Sequence, residues 1–180
     1  MYDLLTQIDA ERFHVLSAWI RFKDMISENK PVASGKIVAV CISEKKGTQK
    51  NVVPEGRLIE DHGLESDAHA GKWHRQVSLL AVEKINEFRA RGAKVEYGAF
   101  GENLVVEGFD LKTLPIGTRF RIGEAMLELT QIGKQCHDHC PIYESVGDCI
   151  MPREGVFTRV LKGGSVKPGD IIEQLSPEEI

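Results

Sequence analysis

Hydrophobic positions change their rhythm near residue 35. Ahead of that point Leu4, Ile8, Val15, Trp19, Phe22 and Ile26 recur at spacings of three, four or seven. Glu11 is the single miss and Asp3 stands where a helix cap belongs. This is the period of an amphipathic helix, continuous or broken near Asp9, and it predicts a helical extension over residues 1–33 that packs against the domain or a second subunit, with a docking helix for another protein as the alternative. From Gly35 onward the period shortens. Runs at 36–42, 57–59, 76–80, 103–106, 118–122, 125–132, 156–161 and 170–173 read as strands bounded by turn signals, which suggests a β-barrel or sandwich. Phe120 and Ile122 alternate with Arg119 and Arg121, and Gly123-Glu124 then predicts a tight hairpin into the next strand. One helix interrupts the strands over 80–91. There Ala81, Ile85 and Phe88 form a stripe beside Val82, and Gly92 sits at the C-terminal cap, so this helix should plug or flank the sheet.

Glycine and proline sharpen the boundary. None of the 17 glycines lies before Gly35, and of the seven prolines only Pro31 does. The expected organisation is an extension over 1–33, one domain over 34–176 and a polar tail over 177–180. The chain has 180 residues and is 42% hydrophobic, enough to bury ~two-thirds of its unfolded surface without staples. Its net charge is −4, with Lys and Arg scattered along the whole length. Without a basic stripe, nucleic acid is not an expected partner. Acids occupy the first positions where a signal peptide needs bases, and no apolar run approaches the ~20 residues of a membrane span. The expected setting is soluble and cytoplasmic. There Cys41, Cys136, Cys140 and Cys149 read as buried, reactive or metal-binding thiols rather than disulfides.

Candidate chemistry concentrates in three segments. The densest is Gly133-Lys-Gln-Cys-His-Asp-His-Cys-Pro141, after a strand and before a short helix expected over 141–146. Lys134 and His137 flank Cys136 in sequence, and nearby positive charge favours the thiolate that acts as nucleophile or metal ligand. Cys140, ahead of Pro141, suits a helix cap. A zinc site from Cys136, His137, His139, Cys140 and Cys149 is the alternative, but gaps of three and eight residues with no second cluster do not match structural zinc spacing. The second segment, 61–76, holds His62, His69 and His74. These serve either as solvated loop residues or as metal ligands. In the third, Gly98-Ala-Phe-Gly-Glu-Asn-Leu104, glycines let backbone amides approach an anion or a pterin ring.

In this order the segments resemble the MOSC domain, named for the C-terminal domain of molybdenum cofactor sulfurase. The resemblance runs from about Gly35 to Leu175. It rests on Gly35-Lys-Ile-Val-Ala-Val40, Ser66-Asp-Ala-His-Ala-Gly71, Arg75-Gln-Val-Ser-Leu-Leu80, Phe100-Gly-Glu-Asn-Leu104, Leu114-Pro-Ile-Gly-Thr118 with Leu127-Glu-Leu-Thr-Gln131, and Gly163-Gly-Ser-Val-Lys-Pro-Gly-Asp170. It implies a mainly β, MOSC-type barrel with a few helices, here preceded by the helical extension. It also implies a functional cysteine at Cys136, carrying sulfur as a persulfide or ligating the molybdenum of a bound molybdopterin-type cofactor. Many members have Pro before that cysteine and Arg two places further back; Gln135 and Gly133 stand there in this chain. The residues expected around the cofactor are Asp67, His69, Arg75, Gly101, Asn103, Lys134, His137 and Arg153.

The expected function is therefore binding of molybdenum cofactor or a precursor, with Cys136 as sulfur-carrying or molybdenum-ligating thiolate. Two alternatives stand beside it: a molybdenum-dependent reductase of N-hydroxylated compounds, and a non-catalytic carrier of cofactor or metal with a Cys/His zinc site. No pyridoxal phosphate is expected on this chain, so sulfur would come from a partner such as a cysteine desulfurase. A reductase would instead need an external electron donor, since no flavin, haem or iron-sulfur motif is present. Molybdoenzymes or cofactor-synthesis proteins, and a second copy of the chain, are the other expected partners.

Overall fold

The computed structural model describes residues 32–135, 143–144 and 147–176. The helix expected over the N-terminal extension, most of the short helix expected over 141–146 and the tail 177–180 lie outside the described residues. In chain order the elements are β1 (Ala33–Ile42), β2 (Asn51–Val53), β3 (Gly56–Ile59), β4 (Gly63–Leu64), β5 (Val77–Ala81), α1 (Val82–Ala90), β6 (Leu104–Glu107), β7 (Arg119–Ile122), β8 (Ala125–Ile132), α2 (Met151–Glu154), β9 (Val156–Lys162), β10 (Gly164–Val166) and β11 (Ile171–Gln174).

Seven of these strands close a barrel in the order β11-β7-β8-β9-β5-β6-β1, with β1 pairing back onto β11 and β2 added outside β1. Closure removes the open sheet edges that a sandwich would leave, so the barrel alternative is the one realised. Neighbours pair antiparallel except β5 and β6, whose parallel pairing requires the crossover that α1 provides. β3, β4 and β10 form a separate small sheet. Their Leu58, Leu64 and Val166 join the same apolar cluster as the barrel lumen. The Gly123-Glu124 hairpin forms as expected, with Ile122 opposite Ala125 and Gly123 at φ +56°.

Alternation explains which residues fill the lumen. Val77, Leu79, Leu104, Val106, Phe120, Ile122, Leu127, Leu129, Val156 and Val160 point inward and are buried. Phe109 and Phe120 meet edge to face there, with ring centroids 5.8 Å apart. The intervening residues on β5, β6 and β9 point outward into a second apolar layer, where Leu80, Val105 and Phe157 pack with Val82, Ile85 and Phe88 of α1 and Met151 of α2. α1 thus flanks the barrel and does not plug it. A bulge in β1 between Ile37 and Ala39 shifts the register against β6. Ile37 and Val40 therefore both face the lumen, while Ala39 and Cys41 turn outward. Strict alternation from Ile37 would have put Cys41 inside.

The strands β2, β4 and β10 are absent from the sequence reading, because two or three residues are too few for alternation to show. The eight longer strands match the expected runs to within a few residues at their ends. Leu127→Ala, which empties a fully buried lumen position, is expected to lower unfolding free energy by about 2–5 kcal/mol. Ile116→Ala, at a position 58% exposed, should change it by less than about 0.5 kcal/mol. Urea denaturation of both variants checks this, and equal losses would contradict the assignment of the lumen as the core.

Candidate functional site

Outside the barrel wall, where Ser78 of β5 and Phe157 of β9 face away from the lumen, lies a cleft of about 280 Å³. Four chain segments meet there. The β1–β2 loop supplies Gly47 and Thr48, and the β4–β5 loop supplies His69, Trp73 and Arg75. The approach to β6 supplies Phe100, Gly101 and Asn103, and the end of β8 leads into Lys134 and Gln135, with Met151 closing one side. Of the residues expected around a cofactor, His69, Arg75, Gly101, Asn103 and Lys134 are brought together here. Asp67 and Arg153 are not among the residues lining it. Cys136 and His137 lie outside the described residues, as do His139 and Cys140, and Cys136 follows Gln135 directly in the chain.

Arg75 dominates the charge of the cleft. Its guanidinium lies 4.7 Å from the centre of the Trp73 ring and 5.5 Å from that of Phe157. Stacked on both, the group is held by cation–π attraction and can make strong hydrogen bonds only in its own plane. Its buried Nε has no hydrogen-bond partner among the described residues. A buried donor left unmatched costs about 1–3 kcal/mol, which an acceptor in the cleft would recover. Lys134 is the second cation, and no Asp or Glu is present among the described residues lining the cleft. In a chain with 27 acids and a net charge of −4, the described part of the cleft is locally cationic.

The supporting bonds are mostly buried. Asn103 Oδ1 accepts from the Ser78 amide at 3.1 Å and lies 3.0 Å from the Ser78 hydroxyl, while Nδ2 donates to the Cys41 carbonyl at 3.1 Å. The Cys41 amide in turn donates to the Asn103 carbonyl at 2.7 Å. The side chain of Asn103 is thus a strut joining β1, β5 and the start of β6, with its polar atoms already engaged by the protein. Gln131 Nε2 donates to the Gly133 carbonyl at 2.7 Å, and His74 Nε2 lies 2.8 Å from Gln131 Oε1. Together with the Gly133 amide on the Gly155 carbonyl at 2.7 Å, these bonds fix the turn that carries Lys134. His74 is therefore a strut, and His62 is exposed. Among the described residues, no group of His, Cys, Asp and Glu is placed to hold a metal ion. Arg153 lies in a separate groove with Lys84, Glu87 and Arg91, and its guanidinium bonds Asp148 at 3.2 Å.

Asp67 acts from beneath. Its carboxylate pairs with the buried Lys50 ammonium and accepts the Ser43 amide at 3.0 Å and the His69 amide at 3.1 Å. Burial alone would raise its pKa, but the Lys50 ammonium and the Ser43 amide bonded to it outweigh that and hold the carboxyl far below the usual range. Glu102 is fully buried and accepts the Gly98 amide at 2.7 Å and the Phe100 amide at 3.0 Å. Burial is the larger effect there and pushes its pKa from 4.5 up to about 7, against the amides and the Lys50 charge. Gly98 closes this loop. It sits at φ +88°, its carbonyl accepts the Lys50 amide at 2.9 Å, and a methyl group on it would strike the Lys50 carbonyl.

Lys50, Trp73, Glu102 and Phe157 were missed as functional residues. Lys50 closes the run Lys45-Lys-Gly-Thr-Gln-Lys50, which reads as a solvated loop, and Phe157 sits in a strand that reads as core. Trp73 left a usable signal, an aromatic two residues from Arg75 in a polar loop.

The cysteines invite a direct check. Burial, then the Glu102 charge, push the Cys41 thiol up to about 12, only partly opposed by Lys50, and Cys149 is also buried. Native-state alkylation with peptide mapping should leave Cys41 unmodified while Cys136 labels; labelling of Cys41 first would contradict the assignment. A second check follows from Glu102. Folding raises its pKa, so it favours the folded state most below 4.5 and loses that contribution as pH rises through about 7. The stability difference between wild type and Glu102→Gln should therefore shrink across that window in thermal melts. A difference that is flat or grows with pH would contradict the raised pKa.

Comparison with known proteins follows the same lines. The family model described as MOSC domain matches residues 66–173, more than half of the chain. The uncharacterized protein YflK of Bacillus subtilis (strain 168) is 27% identical over 146 residues, which cover 74% of this chain and 65% of that protein. The chain thus spans less than two-thirds of that curated relative. Among solved structures, the YuaD protein from Bacillus subtilis superposes with a TM-score of 0.67 at 21% identity, covering 81% of this chain and 97% of that one. YiiM from Geobacillus stearothermophilus gives 0.62 at 19% identity, covering 79% and 75%. These two likenesses concern the fold, and they agree with the closed barrel described above. With its 66–173 segment matched and its barrel shared with those structures, the chain belongs to the MOSC domain family.

Proposed function

We propose that the Arg75 cleft binds molybdenum cofactor or a precursor of it, and that Cys136 is the thiolate that carries sulfur or ligates the molybdenum. The observation that supports this most is the pairing of two cations with no carboxylate among the described lining residues, with the unmatched Arg75 Nε buried among them. A pterin carrying an anionic group fits such a donor set. Trp73, Phe100 and Phe157 offer aromatic surface for a flat ring, and Arg75 and Lys134 offer donors for oxyanions. At about 280 Å³, the described part of the cleft is near the lower end of the ~300–1,000 Å³ typical of ligand sites, which suits a single pterin better than a dinucleotide. When bound, such a cofactor supplies a metal centre that takes soft thiolate ligands. The family link to molybdenum cofactor supports the same reading.

The protein's own share is binding, orientation and supply of a thiolate. Cys41 is buried with its thiol pushed up to about 12, and Cys149 is buried beside α2. Cys136 is the cysteine that follows the cleft residues Lys134 and Gln135, and the Lys134 charge favours its thiolate. A cysteine desulfurase is the proposed sulfur donor if Cys136 carries sulfur. An external electron donor takes that place if the site reduces N-hydroxylated compounds. The expected setting is cytoplasmic, and no helix among the described residues is long and apolar enough to cross a membrane.

Protein purified from a cofactor-producing, molybdate-supplied host tests the proposal by elemental and pterin analysis. Wild type should retain molybdenum and pterin, or accept cyanolysable sulfur from a desulfurase, and Cys136→Ser should lose both while staying folded. Arg75→Ala should weaken cofactor binding about 10- to 100-fold, the loss of a desolvated charge-assisted contact of about 1.5–3 kcal/mol. Stoichiometric zinc that disappears in Cys140→Ser and His139→Ala, with no molybdenum, pterin or sulfur, would overturn it.

A further inference from the structure

His69 meets the cleft on one side and a buried ammonium on the other. Lys50 Nζ lies 3.3 Å from His69 Nδ1, and its second partner is Asp67 Oδ1. The side chains of Lys50 and Asp67 are 1% and 0% exposed, so water does not compete for these bonds. An ammonium group has three donors and no lone pair. A contact at 3.3 Å is therefore favourable only if Nδ1 presents its lone pair to Lys50. Were the proton on Nδ1, it would face the ammonium, and the carboxylate oxygen that might take it, Asp67 Oδ2, lies 3.6 Å away and already accepts the His69 backbone amide at 3.1 Å. The loop is fixed from the other side as well, since Trp73 Nε1 donates to the His69 carbonyl at 2.9 Å.

We infer that Lys50 is a positioning residue that fixes neutral His69 in the Nε2–H tautomer, so that His69 presents the cleft with a hydrogen-bond donor instead of a metal-ligating lone pair or a base. Nδ1 is turned inward to Lys50, which leaves Nε2 as the ring nitrogen for the cleft. His69 then joins Arg75 and Lys134 as a third donor, matched to oxygen atoms of an anionic ligand. That last consequence rests on the cofactor reading above; the tautomer does not.

The test is a two-bond proton–nitrogen correlation spectrum of the full chain with nitrogen-15-labelled histidine, recorded where His69 is neutral, its signals assigned by their loss in His69→Gln. Wild type should show protonated Nε2 and bare Nδ1. Lys50→Met should lose this signature, moving to the Nδ1–H form or an exchanging mixture, and Lys50→Arg, again a donor without a lone pair, should restore it. The Nδ1–H form in wild type, or an unchanged Nε2–H form in Lys50→Met, would overturn the inference. If Lys50→Met does not fold, wild type and Lys50→Arg decide, and an Nδ1–H form in either overturns it. No ligand enters the measurement, so failure to retain cofactor leaves this result standing, and failure here leaves the cofactor reading in place.

Discussion

The hydrogen bonds around Asn103 are the constraint on which the site depends. β1, β5 and β6 meet where the barrel changes from antiparallel to parallel pairing, and there a regular antiparallel ladder cannot satisfy every backbone group. Asn103 bridges the Ser78 amide and the Cys41 carbonyl with one amide side chain. Neither Asp nor Ala could do so, since the first lacks the donor and the second lacks both groups. From this strut the 98–103 loop is held against the outer wall, with Glu102 drawing in the Gly98 and Phe100 amides beneath it. The cleft forms on the surface that this loop, the β4–β5 loop and the end of β8 share.

Charge in the site is arranged in two layers. Below, Lys50 is sealed in between Asp67 and His69, and burial pulls its pKa down while Asp67 pulls it back. Removing one partner of such a pair strands the other's charge, so the layer is rigid because its parts are interdependent. Above, Arg75 is pinned by two aromatic rings and Lys134 is carried on a turn strapped to α2. Among the described residues, the carboxylates of Asp67 and Glu102 belong to the lower layer, and the cations Arg75 and Lys134 line the cleft. An acidic chain thus presents a cationic pocket without any basic stripe in its sequence.

Much of the barrel was legible in the sequence because burial on one face writes a period of two into strands such as Arg119–Ile122 and Ala125–Ile132. The direction of Cys41 was not legible, since it depends on a one-residue bulge against β6, a partner more than sixty positions away. Arg75, His69, Gly101, Asn103 and Lys134 could be picked out because core packing does not call for polar side chains or glycine at the ends of strands. Their roles differ in ways that spacing does not encode: Asn103 is engaged by backbone, whereas Arg75 has a donor unmatched among the described residues. Arg153, chosen for its charge, belongs to another groove. Lys50 and Glu102 were hidden because their burial comes from long-range closure through Gly98, which no local pattern records.

On the proposed reading, the cations of the cleft receive an anionic molybdenum cofactor. Anomalous diffraction at the molybdenum edge, on crystals of protein loaded in a cofactor-producing host, tests it most directly. A metal peak is expected in the cleft bounded by His69, Arg75 and Lys134, with cofactor oxygens within hydrogen-bond distance of the Arg75 guanidinium. A peak in any other groove, or cofactor bound with Arg75 Nε still unmatched, would contradict it.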